Sequence, residues 1–267
     1  MGTLILVRHG ENDWTRKNKL AGKIPGVHLN EAGHRQAQAA AQRLAALPIK
    51  AVYSSPLTRC AETAAYIADT HRLTILFIDD LAEVEYGEWE GEKIKKLAKK
   101  PLWRAVQFFP GRMRFPQGEA LREVQFRAVQ AIEEIAARHE KETVVVVSHA
   151  DVIRLLLAHY LGVHIDLFQR LVISPASASM LHLSPDGMAR VLRLNDDGPL
   201  HAPRQPESRK KGKKSDQKRK EIQQKTEPPR RQDDSTANQA AVSASANGNK
   251  PTRAPHTSPS AALDEEE

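Results

Sequence analysis

The chain has 267 residues, a formal net charge of +7 from 40 Lys+Arg against 33 Asp+Glu, and one cysteine, Cys60. A single cysteine excludes an internal disulfide framework. No aliphatic run approaches the ~20 residues of a membrane span, and Met1–Val7 lacks the basic stretch of a secretory leader, so the sequence reads as a cytoplasmic protein.

Two kinds of text follow one another. Residues 1–197 alternate apolar runs with polar turns, as one globular domain does. Residues 198–267 are rich in Pro, Ser, Gln, Asn, Lys and Arg and hold no Phe, Trp or Tyr. Such text cannot bury enough apolar surface to offset the entropy of ordering, so it is expected to be a disordered, low-complexity tail. That tail holds 14 basic and 10 acidic residues, with 12 of the basic ones between Arg204 and Arg231. It reads first as a solubilising extension, with nucleic acid or another anionic surface as the less favoured partner.

Within residues 1–197, Thr3-Leu4-Ile5-Leu6-Val7 is a short apolar run that reads as a buried strand. Glu31 to Ala46 has apolar positions at helical spacing and is stopped by Pro48. Ala51-Val52-Tyr53-Ser54 reads as a second strand. Ser55-Pro56 then reads as an N-cap with proline at the first helical position, opening a helix over Leu57–His71. Thr74 to Ile78 is a third strand. Trp89 to Phe109 is a Lys-rich helical stretch interrupted by Pro101, and Pro110 to Gly118 is a loop. Glu119 to His139 is a long helix, Thr143 to Val147 a strand, and Ala150 to Leu161 a helix ending at Gly162. Ser177–Leu183 and Ala189–Leu194 pair as a closing hairpin around Pro185-Asp186-Gly187. Alternation of helix with wholly apolar strands predicts a three-layer α/β/α sandwich on a mainly parallel sheet.

Ligands bind such sheets beyond the carboxyl ends of the strands. Four predicted strand ends carry reactive text: Arg8-His9-Gly10-Glu11, Ser54-Ser55-Pro56-Leu57-Thr58-Arg59, Glu83-Val84-Glu85-Tyr86-Gly87, and Ser148-His149. Arginine offers a permanently charged planar fork that fits a phosphate. A neutral imidazole can attack phosphorus and hold it covalently. A carboxylic acid can protonate a departing alkoxide. With the transition-state charge met by arginine, no metal or other cofactor is required.

These segments also resemble the histidine phosphatase superfamily, the branch that includes phosphoglycerate mutases and small phosphatases. The resemblance spans roughly residues 3 to 195. Leu6-Val7-Arg8-His9-Gly10-Glu11 is similar to its nucleophile motif, and Ser54 through Ala64 to its second motif. Glu83 with Tyr86-Gly87-Glu88-Trp89-Glu90-Gly91 resembles its proton-donor segment, and Val147-Ser148-His149 the segment with its second histidine. The resemblance implies a phosphoglycerate mutase-like fold and a metal-independent phosphomonoesterase acting on a small phosphorylated metabolite. It implies that His9 is the phosphorylated nucleophile and Glu83 the acid and later the base, with Glu85 its competitor. It implies that Arg8, Arg59 and His149 bind the phosphoryl group.

The sequence departs from the family pattern at four places. Thr15 follows Trp14 where the family often has a phosphate-holding Asn, and Thr15 can still donate one hydrogen bond. Ala150 and Asp151 replace two glycines after the second histidine; Asp151 could cap the next helix or restrict which phosphates fit. Ala21-Gly22 stands where mutases have a substrate-touching Thr-Gly pair, and the mutases' long insertion after the proton-donor segment is not recognisable. These departures favour a phosphatase over a phosphoglycerate-type mutase on the same site; a non-catalytic binding protein on this fold is the remaining alternative.

Other features read more plainly. A cysteine phosphatase needs Cys, five residues, then Arg, and the sixth residue after Cys60 is Tyr66, so Cys60 reads as a small buried helix residue. The histidines show no zinc spacing. The cluster Lys93, Lys95, Lys96, Lys99 and Lys100 reads as a solvated helix face, or as a lid that attracts a polyanion. The loop Leu20–Leu29 reads as a mobile rim or a plain surface loop. Neither the individual phosphate ester nor the oligomeric state is legible.

Overall fold

The computed structural model describes residues 2–184 and 186–198. Its strands are β1 (Thr3–Arg8), β2 (Ile49–Ser54), β3 (Ile75–Phe77), β4 (Thr143–Ser148), β5 (Ala178–Leu183) and β6 (Ala189–Asp196). They form one sheet in the order β3-β2-β4-β1-β5-β6. β3, β2, β4 and β1 run parallel, and the β5–β6 hairpin closes the β1 edge antiparallel. The helices are α1 (Asp13–Arg16), α2 (Glu31–Leu44), α3 (Thr58–His71), α4 (Ile94–Leu97), α5 (Trp103–Phe108), α6 (Leu121–Arg138) and α7 (Ala150–Tyr160).

Successive side chains of a strand point to opposite faces, and each central strand here is apolar on both. Leu4, Leu6, Tyr53, Val144 and Val146 join one core with the buried residues of α6 and α7. Ile5, Val7, Val52, Val145 and Val147 join a second core with α2 and α3. Covering both faces with helices is what allows a mainly parallel sheet, and the result is a three-layer α/β/α sandwich. None of the described helices is long and apolar enough to cross a membrane.

Register carries this architecture to the site. β1 and β4 lie side by side with Arg8 opposite Ser148. The next residues, His9 and His149, therefore leave the sheet together, and His9 N–H donates to Ser148 O at 3.0 Å.

The predicted elements are all present, with local differences. The helix expected from Ser55-Pro56 begins at Thr58, and its cap position, Leu57, makes no side-chain cap bond. The Ser55 hydroxyl instead lies 2.8 Å from His149 Nε2. The Lys-rich stretch forms the two short helices α4 and α5 rather than one. The helix expected from Glu119 begins at Leu121, with Ala120 extended at its cap and the Ala120 N–H donated to the Glu123 carboxylate at 3.0 Å. α1 has no counterpart in the sequence reading. The hairpin turn is as expected at Gly187; Pro185 and, apart from Gly198, the stretch read as a tail lie outside the described residues.

Candidate active site

A cavity of about 510 Å³ opens at the carboxyl edge of the parallel strands. Arg8 and His9 reach it from the end of β1, Arg59 from the first turn of α3, Glu83 from the segment after β3, and Asp151 from the first turn of α7. The turn that presents His9 packs tightly: a Cβ on Gly10 would stand 2.5 Å from the Gly33 carbonyl oxygen of α2. The Thr63 hydroxyl accepts the Gly10 N–H at 3.0 Å and fixes the same turn to α3.

His9 is buried, and its Nδ1 lies 2.7 Å from the Gly10 carbonyl oxygen. A carbonyl can only accept, so Nδ1 carries the proton and the Nε2 lone pair is left bare. Burial, reinforced by the charges of Arg59 and Arg8, holds the imidazole well below its ordinary pKa. His9 is therefore neutral near pH 7, the form that can attack phosphorus.

Three cavity-wall residues bring buried donors that have no partner among the described residues: Arg8 Nε, Asn12 Nδ2 and Arg59 Nη1. Each group is anchored through another atom. Arg8 Nη1 donates to Ile173 O at 2.7 Å, and Arg59 Nη2 donates to Gly22 O at 2.7 Å. Asn12 Oδ1 caps α1 by accepting from Thr15 N at 2.9 Å and from the Thr15 hydroxyl at 3.2 Å. Buried donors without partners cost about 1–3 kcal/mol each. Three of them on one cavity, two cationic, make a seat for an anion.

Glu83 is 8% exposed and accepts the Val84 N–H at 3.1 Å. Burial, and next the charge of Asp151, push its carboxyl up to about 7, against the opposing pull of Arg59 and Arg8. It is a carboxylic acid poised to give and take a proton near neutral pH. Glu85, its competitor in the sequence, is exposed, pairs with Lys23, and is not part of the cavity wall.

His149 is fully buried and is not part of the cavity wall. It stands behind His9 with ring centroids 5.3 Å apart, and its Nδ1 is 3.9 Å from Glu83 Oε2. Burial first, then Arg59, His9 and Arg8, hold it neutral. Cys60 is buried in α3 beside it, and burial pushes the thiol up to about 12, so no thiolate forms.

The remaining expected residues fall as follows. Thr15 and Gly22 both line the cavity. The Thr15 hydroxyl is bonded to Asn12, and the Gly22 carbonyl orients Arg59. Gly22 has a positive φ of 50° and no room for a Cβ against the Glu90 carboxylate. Asp151 does not cap α7; its carboxylate accepts from Tyr86 Oη and Arg154 Nη1, each at 2.7 Å. Asn12 escaped the sequence reading, although Asn three residues before Thr15 is the signature of a helix cap. The far wall is apolar, built by Trp89, Trp103, Val106, Phe115, Leu121 and Phe168. No group of three or more His, Cys, Asp or Glu side chains among the described residues could hold a metal ion.

The fold and site together define a phosphate-handling enzyme of the α/β/α class with a histidine at its centre. Residues 4–197 match the family described as the histidine phosphatase superfamily (branch 1), and the chain belongs to it. It is 34% identical over 197 residues to Phosphoserine phosphatase 1 of Hydrogenobacter thermophilus, covering 73% of this chain and 92% of that protein. It is also 34% identical over 200 residues to Bifunctional protein Rv2228c of Mycobacterium tuberculosis, covering 74% of this chain and 54% of that protein, so it spans about half of that relative. The structure of Bacillus stearothermophilus YhfR superposes with a TM-score of 0.68 at 29% identity, covering 73% of this chain and 98% of that one.

Proposed function

We propose that the protein hydrolyses a small phosphate monoester in two steps, with His9 carrying the phosphoryl group between them. One observation carries this reading: a bare Nε2 on a neutral imidazole shares a cavity with three unpartnered buried donors. The name of the Hydrogenobacter relative, a phosphoserine phosphatase, supports a small phosphorylated metabolite as substrate.

Arg8, Arg59 and Asn12 hold the phosphoryl oxygens. His9 Nε2 attacks phosphorus, the P–O bond to the leaving group breaks, and Glu83 gives its proton to the departing oxygen. The N–P bond then breaks as water attacks; Glu83, now a carboxylate, takes the water's proton, and His9 returns with its Nδ1–H still donated to Gly10 O. His149 supports His9 from behind, and Thr15 and Gly22 orient Asn12 and Arg59. Two guanidiniums supply the positive charge that a metal would otherwise bring. The single, buried, unpaired cysteine suits a reducing compartment, and we place the enzyme in the cytoplasm.

Rapid quench with labelled phosphate ester in excess chelator is expected to trap an acid-labile, base-stable adduct on His9. His9→Ala is expected to lower turnover by at least about 10⁴-fold. Wild-type turnover in that variant, or activity that disappears on chelation and returns with a divalent ion, would overturn the mechanism.

A further inference from the structure

Glu83 lies on irregular backbone between a short 3-10 turn (Asp79–Leu81) and a second one (Gly87–Trp89). No ladder holds residues 82–86, yet an acid must be held to within about 0.5 Å of its working position. The carbonyls of this segment have to find other partners. Ser148 Oγ, at the end of β4, donates to Leu81 O at 2.7 Å. Three more, those of Asp80, Ala82 and Glu83, converge on one side chain. Arg127, in the second turn of α6, donates from Nη1 to Asp80 O at 2.6 Å and Ala82 O at 2.8 Å. From Nη2 it donates to Glu83 O at 3.1 Å.

The two N–H groups that remain, on Nε and Nη2, donate to Glu119 Oε1 and Oε2 at 2.9 and 3.0 Å. All five donors of the guanidinium are thus in use. Glu119 in turn fixes the far side of Glu83, accepting Glu85 N at 2.9 Å on its carboxylate and donating its own N–H to Glu85 O at 2.9 Å. The clamp therefore takes hold on both sides of one residue, and that residue carries the acid.

We propose that Arg127, oriented by Glu119, is a positioning residue for proton donation by Glu83: it grips the three carbonyls of Asp80, Ala82 and Glu83 and thereby aims the carboxyl into the cavity. This rests on the reading of Glu83 as the proton donor. The guanidinium itself does not line the cavity and makes no bond to His9. Its loss should therefore damage protonation of the leaving group while sparing attack by His9 and the hold on phosphate. Lysine keeps the charge but offers a single ammonium in place of the planar fork, so it can satisfy only part of the clamp.

The test compares an alkyl phosphate, which needs its leaving group protonated, with an aryl phosphate, which does so far less. Glu83→Gln is the reference. If it slows both substrates equally, the reading of Glu83 fails, whatever Arg127 does. If it slows the alkyl ester selectively, the proposal expects Arg127→Met to show the same selectivity, with kcat on the alkyl ester down by about 10²-fold, aryl turnover within about threefold, and KM little changed. Arg127→Lys should fall between Arg127→Met and the wild type. Equal losses on both esters in Arg127→Lys, or none on either, would overturn the positioning role; this variant decides the matter should Arg127→Met fail to fold, since it keeps the charge that pairs with Glu119.

Discussion

The two ends of the cavity are built on different principles. The end proposed to hold phosphate comes from strand termini and first helical turns: Arg8 closing β1 and His9 just after it, Arg59 in α3, and His149 behind them after β4. The strands they follow are paired on both sides, so the register of β1 against β4 sets His9 beside His149. The far end comes from Trp89, Trp103, Val106 and Phe115, carried by the short helix α5 and the irregular chain around it. A one- or two-turn helix has little stability of its own, and this wall is held by the core that Trp89, Val106, Phe115 and Phe168 share with α6 and α7. On the proposed mechanism, chemistry rests on the rigid part of the molecule and the choice of leaving group on the adaptable part, a division that sites grafted on α/β folds commonly use.

The largest expected effect that would test this division falls at the phosphate end. Asn12→Ala removes one of three unpartnered donors and also the cap that accepts Thr15 N–H. A donor that meets transition-state charge in a closed site is worth about 10²-fold in kcat. That loss is expected for every phosphate ester alike, because the proposal has this donor hold the group common to all of them. A loss below about threefold, or one confined to particular esters, would assign Asn12 to the specificity end.

A smaller effect is expected at the far wall. Trp103 is half-buried and stacks on Trp89 with ring centroids 6.0 Å apart. Trp103→Ala removes apolar surface of the wall that the proposed mechanism gives to the leaving group, so KM for a bulky ester should rise about tenfold with kcat near the wild-type value. A matching fall in kcat on the smallest ester would show that the two ends are coupled through α5.

The same division explains what the sequence disclosed. Arg8, His9, Arg59 and His149 each stand at a strand end or in the first helical turn beyond one, and Glu83 on the irregular segment after β3; the sheet order places Arg8, His9, Arg59 and Glu83 on one cavity, with His149 behind His9. Asn12 was hidden because its visible task is to cap a four-residue helix, and only the burial of its amide exposes the second task. Arg127 was hidden for a different reason: a basic residue at mid-helix looks like a solvated face, and nothing local shows that it reaches three carbonyls more than forty positions away in the chain. The lysines of residues 93–100 show the opposite case. Lys96 pairs with Glu92 at 2.7 Å and Lys100 stands over the Trp89 ring at 5.8 Å. Lys93, Lys95, Lys96 and Lys99 are exposed, as the solvated-face reading requires.

The smallest expected effect lies where the two ends meet. Asp151 lines the cavity beside Glu83, bonded to Tyr86 Oη and paired with Arg154. Glu83 is pushed up to about 7 by burial first and by Asp151 next, and is drawn down by Arg59 and Arg8. A proton donor works only while protonated, so kcat/KM on an alkyl phosphate should be full below about 7 and fall as the pH rises through that value. His9, held well below the ordinary imidazole range, should add no limb near 6.5. Asp151→Asn removes the opposing negative charge and frees Arg154, and both changes favour the Glu83 carboxylate. The alkaline limb should therefore move to lower pH, with activity lost near neutrality and little change well below it. Stability gives an independent check of sign. Glu83 has an ordinary value of 4.5 and stands near 7 in the fold, so the folded state binds more protons between those values and stability falls as the pH rises across that window. Glu83→Gln should flatten that fall in melting temperature, and Asp151→Asn should shorten it. A limb that moves to higher pH in Asp151→Asn, or a Glu83→Gln melting profile with the wild-type slope, would mean that some group other than Glu83 titrates there.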